Sequence, residues 1–160
     1  MYSLNVPVPV TISRLARGVA SECITATPRD RHTFVIKRLG ADRPSHLSDR
    51  LRRILSGQAP FSASVTGIDV FDTPTAGTGP VAYLAIESPD VIQMHNELSE
   101  HFEPIEGIEG EDYVPHITIA RGGDADKLRN RHLSDVFTVE SLQIWAAKYE
   151  EPVERLALPL

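Results

Sequence analysis

The stretch Val114-Pro115-His116-Ile117-Thr118-Ile119-Ala120-Arg121-Gly122 alternates polar and apolar residues in a way typical of a β-strand. Side chains on a strand repeat every second residue, so His116 and Thr118 share one face and the two isoleucines face the core. An imidazole beside a hydroxyl on a rigid strand suits transfer at a phosphorus or acyl centre, because the imidazole moves a proton and the hydroxyl holds a developing oxyanion. The simpler interpretation is an edge strand with a polar solvent face.

A second histidine and threonine, His32 and Thr33, lie on a predicted strand in Arg31–Gly40 (RHTFVIKRLG). Two imidazoles that face one another across a cleft could divide the chemistry, one neutral as base and the other protonated as acid. Both forms exist near neutral pH because the imidazole pKa is about 6.5. His32 and His116 are therefore the candidate catalytic pair.

Apolar residues recur with helical period in three segments, and runs rich in β-formers separate them. The predicted helices are Val10–Ala20, a segment with Ser45 as N-cap and Gly57 as its stop, and one that starts at Pro89 after Ser88 and ends at Pro104. The predicted strands lie near Leu4, over His32–Ile36, Phe61–Val70, Val81–Ile86, Val114–Ala120 and Phe137–Trp145, and in a C-terminal segment ending at Leu156-Ala157-Leu158. Strands outnumber helices and several adjoin through hairpin-like loops, which favours an α+β fold of antiparallel sheets over a doubly wound parallel sheet. The strands on either side of the 71–80 loop are expected to pair as a long-looped hairpin.

The composition is that of one soluble globular domain over residues 1–160, since 41% of the residues are hydrophobic and 24% are charged. A formal net charge of −6 gives no global positive field, so a nucleic-acid partner would need a local cleft. The single cysteine, Cys23, excludes an internal disulfide and offers no thiolate metal cluster. No apolar run approaches the roughly 20 residues that span a bilayer, and the N-terminal MYSLNVPVPV lacks the features of a signal peptide. We therefore expect a cytoplasmic protein with no membrane partner.

With these motifs the sequence resembles the two-histidine (2H) phosphoesterase superfamily, typified by RNA 2′,3′-cyclic phosphodiesterases, also called 2′-5′ RNA ligases. The family signature is two copies of His-h-Thr/Ser-h, where h is hydrophobic. His116-Ile117-Thr118-Ile119 matches the second copy at every position, with Pro115 before it and Arg121-Gly122 after it. His32 and His116 are 84 residues apart and the order of helices and strands also agrees, so the resemblance covers nearly the whole chain.

The resemblance implies a single two-lobed domain with pseudo-symmetric lobes, each an antiparallel sheet with outer helices, around a central cleft. It implies metal-independent hydrolysis, or reversible ligation, of 2′,3′-cyclic or 2′-5′ phosphodiesters in RNA ends or nucleotides, with no cofactor and no obligate protein partner. By resemblance, His32 and His116 would be the acid and the base, and Thr33 and Thr118 would bind nonbridging phosphate oxygens.

The first copy departs from the signature, and two registers remain open. If His32 is the family histidine, Thr33 lies one place early; if Thr33 is the family threonine, Arg31 stands where the histidine should be. Strand alternation favours the second register, because it places Phe34 in the core, whereas the spacing to Gly40 favours the first. A β-bulge could bring both His32 and Thr33 to the cleft.

The register decides between an enzyme and a binding module. With Arg31 in the first position, the site keeps His116 as a base and gains a clamp for phosphate oxygens. A guanidinium, however, cannot release its proton at pH 7. The alternative function is therefore a noncatalytic module that binds the phosphate of an RNA end or a nucleotide.

Other residues could contact a substrate. Lys37 and Arg38 follow the first motif and Arg121 follows the second, so they could form a basic rim for phosphates or belong to ordinary charged loops. Tyr113 could stack on a base or pack under a neighbouring strand. The two histidines of the third predicted helix are six residues apart, which is not the i, i+4 spacing of a helical metal pair, so no metal site is expected.

Overall fold

Two antiparallel β-sheets and three α-helices make up the computed structural model, which describes residues 1–160. The helices are α1 (Val10–Ala20), α2 (Pro44–Ile54) and α3 (Pro89–Ser99). The strands are β1 (Tyr2–Val6), β2 (Thr27–Pro28), β3 (Phe34–Gly40), β4 (Phe61–Phe71), β5 (Val81–Glu87), β6 (His116–Arg121), β7 (Arg131–Val139), β8 (Ser141–Ala146) and β9 (Glu151–Ala157). The predicted α+β fold is confirmed.

Sheet A contains β3, β1, β8 and β9 in that order, and sheet B contains β2, β6, β5, β4 and β7. Strand β1 is interior to sheet A, where Tyr2 pairs with Gly40 on one side and with Ala146 on the other. In sheet B the predicted hairpin of β4 and β5 is confirmed, since Phe71 pairs with Val81 at the base of its loop. Helix α1 packs against β6 of sheet B, while α2 and α3 contact β9 and β3 of sheet A.

Two of the helices begin at the predicted residue for local reasons. Helix α1 spans the predicted Val10–Ala20. Helix α3 begins at Pro89, where the missing N–H costs no hydrogen bond, and the Ser88 hydroxyl accepts the Val91 N–H at 3.4 Å as the N-cap. It ends at Ser99, earlier than the predicted stop at Pro104.

Helix α2 begins earlier than predicted. Its N-cap is Arg43 rather than Ser45, because Pro44 has the fixed φ that suits the first helical position. The helix ends at Ile54, and Gly57 lies in the turn beyond it with φ +84°.

Three strand predictions have the wrong bounds. The strand predicted over Val114–Ala120 is β6, which begins at His116 and ends at Arg121. The strand predicted over His32–Ile36 begins at Phe34 and continues to Gly40, so His32 precedes it. The strand predicted over Phe137–Trp145 is two strands, because β7 pairs with β4 in sheet B and β8 pairs with β1 in sheet A. The chain crosses between the sheets at Glu140.

One apolar core of 34 buried residues joins both sheets and the helices. Ile117 and Ile119 of β6 are fully buried in it, which confirms the core face predicted for that strand. Phe34 and Ile36 of β3 are also fully buried. Burial of this apolar surface is the main contribution to the stability of the fold, and it fixes which faces of β3 and β6 remain for a site. None of the three helices combines the length and the hydropathy needed to cross a bilayer.

Candidate active site

His116 lies at the start of β6, and the neighbouring backbone orients its ring. Its Nδ1 is 2.6 Å from the carbonyl oxygen of Val114. A carbonyl oxygen only accepts, so Nδ1 carries the hydrogen and Nε2 holds the free lone pair of the neutral ring. Burial lowers the pKa of His116, the Val114 carbonyl opposes this shift, and the positive charge of Arg38 adds to it. The imidazole is therefore neutral at pH 7 and suited to accept a proton at Nε2.

Two aromatic rings of sheet B pack against this imidazole. The Phe71 centroid lies 5.2 Å from that of His116 with the ring planes at 89°, and the Tyr83 centroid lies 5.3 Å away with the planes at 69°. Phe71 and Tyr83 also stack on each other, with centroids 4.2 Å apart. Edge-to-face contacts of this kind hold the His116 ring in place and remove water from one side of it. They contribute to the burial that lowers its pKa.

Thr118 shares the exposed face of β6 with His116. Tyr83 is the cross-strand partner of Thr118, and Ala85 is the partner of His116. Paired residues of antiparallel strands share a face, so these side chains form one surface of sheet B, and both motif residues are partly exposed on it. Phe71 and Tyr83 are not among the residues predicted from the sequence. They could have been predicted only from the pairing of β5 with β6, and no local sequence pattern shows that pairing.

Strand β3 presents different residues from those of the family signature. Phe34 and Ile36 face the core, so Val35 lies on the opposite face, and alternation places Thr33 with it. The Val35 carbonyl accepts a hydrogen bond from the Tyr113 hydroxyl at 2.8 Å, and β3 contacts β6. Val35 is the residue two places after Thr33 on this face. It has no hydroxyl, so it cannot bind a phosphate oxygen as Thr118 could.

His32 lies in the segment between β2 and β3. Both of its ring nitrogens are buried, and neither has a hydrogen-bond partner. Burial lowers the pKa of His32, and the positive charges of Arg17 on α1 and of Arg29 lower it further. The charged group that acts on His116 is Arg38 instead. The two imidazoles thus lie in different electrostatic surroundings.

Arg38 on β3 brings a permanent positive charge to His116. Its side chain is 41% exposed, and one guanidinium nitrogen lies 3.6 Å from the carboxylate of Glu109. A guanidinium stays charged at physiological pH, so Arg38 can offset negative charge that develops on a ligand near His116. In the sequence Arg38 stood out only as part of a basic rim.

A buried ion pair between Lys37 and Glu109 lies next to Arg38 and holds its backbone. Lys37 Nζ lies 2.7 Å from Glu109 Oε1, and both side chains are almost fully buried. Glu109 also accepts the backbone N–H groups of Arg38 at 2.9 Å and Ile105 at 3.0 Å. Burial alone would raise the pKa of Glu109, but these hydrogen bonds together hold it below its usual value. Lys37, expected as a possible substrate contact, is placed inside the protein, where it ties β3 to the loop that precedes β6.

Tyr113 and His95 extend this buried polar network. The two rings stack with centroids 3.8 Å apart, and burial raises the pKa of the Tyr113 phenol far above its usual value. His95 Nδ1 lies 2.7 Å from the Ile36 carbonyl oxygen, and its Nε2 accepts the Gly110 N–H at 2.9 Å. Tyr113 therefore packs beneath β3, with its hydroxyl bound to the Val35 carbonyl.

Arg31, in the segment between β2 and β3, and Arg121, at the end of β6, come together away from His116. They line a cavity of about 620 Å³, and neither His116 nor Thr118 is part of its lining. Arg31 Nη1 donates to the Glu150 carbonyl at 2.8 Å, and Arg121 Nη1 donates to carbonyls of the loop between β4 and β5. The structure thus places Arg31 and Arg121 in a cavity that His116 and Thr118 do not line.

Two antiparallel sheets, with His116 and Thr118 on the exposed face of one strand, are the fold and the motif that the sequence resemblance implies. The chain belongs to the 2′-5′ RNA ligase superfamily, whose family model matches residues 32–150. This membership confirms the resemblance seen in the sequence, and it supports phosphodiester chemistry as the general activity.

Solved structures share the fold over nearly the whole chain. E. coli LigT complexed with 3′-AMP has a TM-score of 0.71 at 16% identity, over 99% of this chain and 98% of that chain. TT0787 of Thermus thermophilus has a TM-score of 0.69 at 18% identity, over 98% of this chain and 97% of that chain. At these identities the likeness shows the fold. A search of curated proteins finds no match to the chain.

Proposed function

We propose that this chain is a metal-independent phosphoesterase that hydrolyses, or reversibly ligates, 2′,3′-cyclic or 2′-5′ phosphodiesters of RNA ends or nucleotides. The observation that carries the proposal is the geometry of His116. Its Nδ1 hydrogen is donated to the Val114 carbonyl at 2.6 Å, so Nε2 is free on the face that also bears Thr118. An imidazole held in this tautomer is ready to act as a general base.

In the hydrolytic direction, His116 Nε2 accepts a proton from a water molecule as the water oxygen forms a bond to phosphorus. The bond from phosphorus to one ribose oxygen breaks, and that oxygen leaves with a proton. The Thr118 hydroxyl donates a hydrogen bond to a nonbridging oxygen, and the Arg38 guanidinium offsets the developing negative charge. In the ligation direction, a ribose hydroxyl takes the place of the water.

The departing ribose oxygen needs an acid, and His32 is the candidate from the sequence. An acid must hold its proton at the working pH, whereas burial and the charges of Arg17 and Arg29 lower the pKa of His32. This observation favours a second candidate function, in which the chain binds the phosphate of an RNA end or nucleotide without turning it over. Thr33 and Arg31 would then contribute to binding alone.

Nucleotides are the ligand class that we propose. E. coli LigT, whose fold this chain shares, has been solved in complexes with 3′-AMP and with NADP+. We further propose that residues 1–160 act as one two-lobed domain in the cytoplasm, with no obligate protein partner. The single cysteine, Cys23, is free and suits a reducing compartment.

The experiment measures turnover of nucleoside 2′,3′-cyclic monophosphates and of a short RNA with a cyclic-phosphate end, in the presence of EDTA. Wild type is compared with His116→Ala and His32→Ala. His101→Ala is the matched control, because His101 is an exposed histidine just beyond α3. Phosphorus NMR reports which ribose oxygen keeps the phosphate.

We expect turnover by wild type and by His101→Ala, and a loss of about 10²–10⁴-fold in kcat for His116→Ala. A comparable loss for His32→Ala would assign the acid to His32. Binding of these ligands without turnover would refute the enzyme and support the noncatalytic phosphate-binding module. Activity only after addition of divalent ions would refute metal independence, and the absence of both binding and turnover would refute both candidate functions.

A further inference from the structure

A concave polar cavity lies at the end of β6 that is distal to His116. Its volume is about 620 Å³, and none of its lining residues is hydrophobic. Three arginines line it, Arg29, Arg31 and Arg121, against two acidic residues, Asp30 and Glu150. In a chain with a net charge of −6, this is a local excess of positive charge in a concave polar site. Such a lining suits an anion rather than an apolar group.

Two of the guanidinium groups are held by the backbone and keep donors to spare. Arg31 Nη1 donates to the Glu150 carbonyl at 2.8 Å, and Arg121 Nη1 donates to the Ala76 carbonyl at 2.9 Å. A guanidinium has five N–H donors in a planar fork, so each arginine retains donors for a ligand. Fixed guanidinium groups bind the oxygens of a phosphate with a smaller loss of side-chain entropy than mobile ones.

The walls of the cavity are fixed to each other before any ligand binds. One Asp124 carboxylate accepts the backbone N–H groups of Ile24, Thr25 and Ala26 at 2.8–2.9 Å, and the Thr25 hydroxyl accepts the Asp124 N–H. A Cβ added to Gly123 would lie 2.5 Å from the backbone of Thr25. The segment before β2 and the turn after β6 therefore touch through their backbones, and the site is preformed.

The position of the cavity relates it to the reaction that we propose. A register shift in the pairing of β5 with β6 puts Thr118 opposite Tyr83 and Arg121 opposite Val81. Tyr83 and Val81 share one face of β5 and are two residues apart, so Thr118 and Arg121 share that face at a spacing of roughly 7 Å along the strand. A phosphate bound at Thr118 and a second phosphate in the cavity can therefore belong to the same chain of nucleotides. We infer that the cavity binds a second, non-reacting phosphate group of an oligonucleotide substrate. This inference rests on the proposed function, because it takes the reacting phosphate to lie at His116 and Thr118.

The test compares two probes, uridine 2′,3′-cyclic monophosphate and the trinucleotide UpUpU with a 2′,3′-cyclic phosphate end. The readout is the preference, defined as the ratio of kcat/KM for the trinucleotide to kcat/KM for the mononucleotide. We expect wild type to prefer the trinucleotide and Arg29→Ala to lower the preference about tenfold, because a hydrogen bond to a charged group is lost. Arg14→Ala is the matched control, since Arg14 is exposed on α1 and does not line the cavity.

Salt dependence gives an independent readout. Loss of one phosphate contact to a single strand lowers the slope of log affinity against log salt by about 0.7. Arg29→Ala should show this change for the fluorescein-labelled trinucleotide, and Arg14→Ala should not. A preference and a salt slope that are the same in wild type and Arg29→Ala would overturn the inference. If His116-dependent turnover is absent, the proposed function fails. The dissociation constants of the two probes, measured for wild type and Arg29→Ala, then decide whether the cavity binds a second phosphate.

Discussion

Substitution of Glu109 by glutamine should destabilise the protein because it leaves a buried ammonium without its carboxylate. The side chains of Lys37 and Glu109 are 0% and 1% exposed, and their charged atoms are 2.7 Å apart. Removing one member of a buried ion pair costs about 3–5 kcal/mol. Lys37 Nζ keeps the carbonyl oxygens of Arg38 at 2.9 Å and Glu103 at 3.3 Å, so we expect a loss at the lower end, about 3 kcal/mol.

Urea denaturation followed by circular dichroism measures this loss. With an m-value of about 2 kcal/mol/M, the midpoint of Glu109→Gln should fall by about 1.5 M. Glu106→Gln is the matched control, because Glu106 is an exposed residue of the same loop. Adding Lys37→Met to Glu109→Gln should restore part of the stability, since the pair is coupled by contact.

The same prediction has a pH dependence. The pKa of Glu109 is held below its usual value of 4.5 in the folded protein. The stability that it contributes is therefore present above about pH 4.5 and is lost as the pH falls through the folded pKa. Wild type and Glu109→Gln should converge in acid. Equal midpoints for Glu109→Gln and Glu106→Gln at pH 7 would show that the buried carboxylate and ammonium do not stabilise the fold, and would refute the reasoning.

Three further predictions concern the histidines. For wild type, kcat/KM for a cyclic phosphate should rise with pH through a midpoint below 6.5, because burial lowers the pKa of His116; a midpoint above 6.5 in a pH–rate profile would contradict this. His95→Ala should lower the free energy of unfolding by about 2–4 kcal/mol, since it removes a buried ring and two hydrogen bonds. Thermal unfolding of His95→Ala and of the exposed control His101→Ala measures this loss, and equal melting temperatures of the two variants would contradict the prediction. The pKa of His32 is lowered in the folded protein, so the unfolded chain binds a proton first as the pH drops below 6.5, and the fold becomes less stable. In urea titrations between pH 7 and 5, His32→Phe should therefore lose less stability than wild type. A parallel decline in the two proteins would exclude this role for His32.

The fold was predictable where local residues decide it. Helix α1 has its predicted bounds because its apolar stripe lies within eleven residues, and α3 begins at Pro89 because Ser88 caps it. The strand predicted over Phe137–Trp145 shows the limit of this approach. Its β-formers are continuous, and the break at Glu140 arises because the two halves pair with strands of different sheets.

In the candidate site, too, some residues could be predicted from local pattern and others only from tertiary contacts. His116 and Thr118 could be placed on one face from strand alternation alone. Tyr83 joins them only through the pairing of β5 with β6, and Lys37 meets Glu109 across 72 residues of sequence. The surroundings of His32 depend on Arg17 of α1, which approaches only after the helix has packed. Contacts of this kind leave no periodicity in the sequence.

The interior position of β1 bears on how the chain reaches this fold during synthesis. Tyr2 leaves the ribosome before either of its partners, and Gly40 is the first of them to follow. Its second partner, Ala146, ends β8 and therefore emerges only after β1 to β7 have been made. Until then one edge of β1 exposes unpaired N–H and C=O groups, which can pair with another nascent chain. Sheet A therefore closes late through a contact of very long sequence separation, and this closure should be both the slow step of folding and the stage most exposed to aggregation.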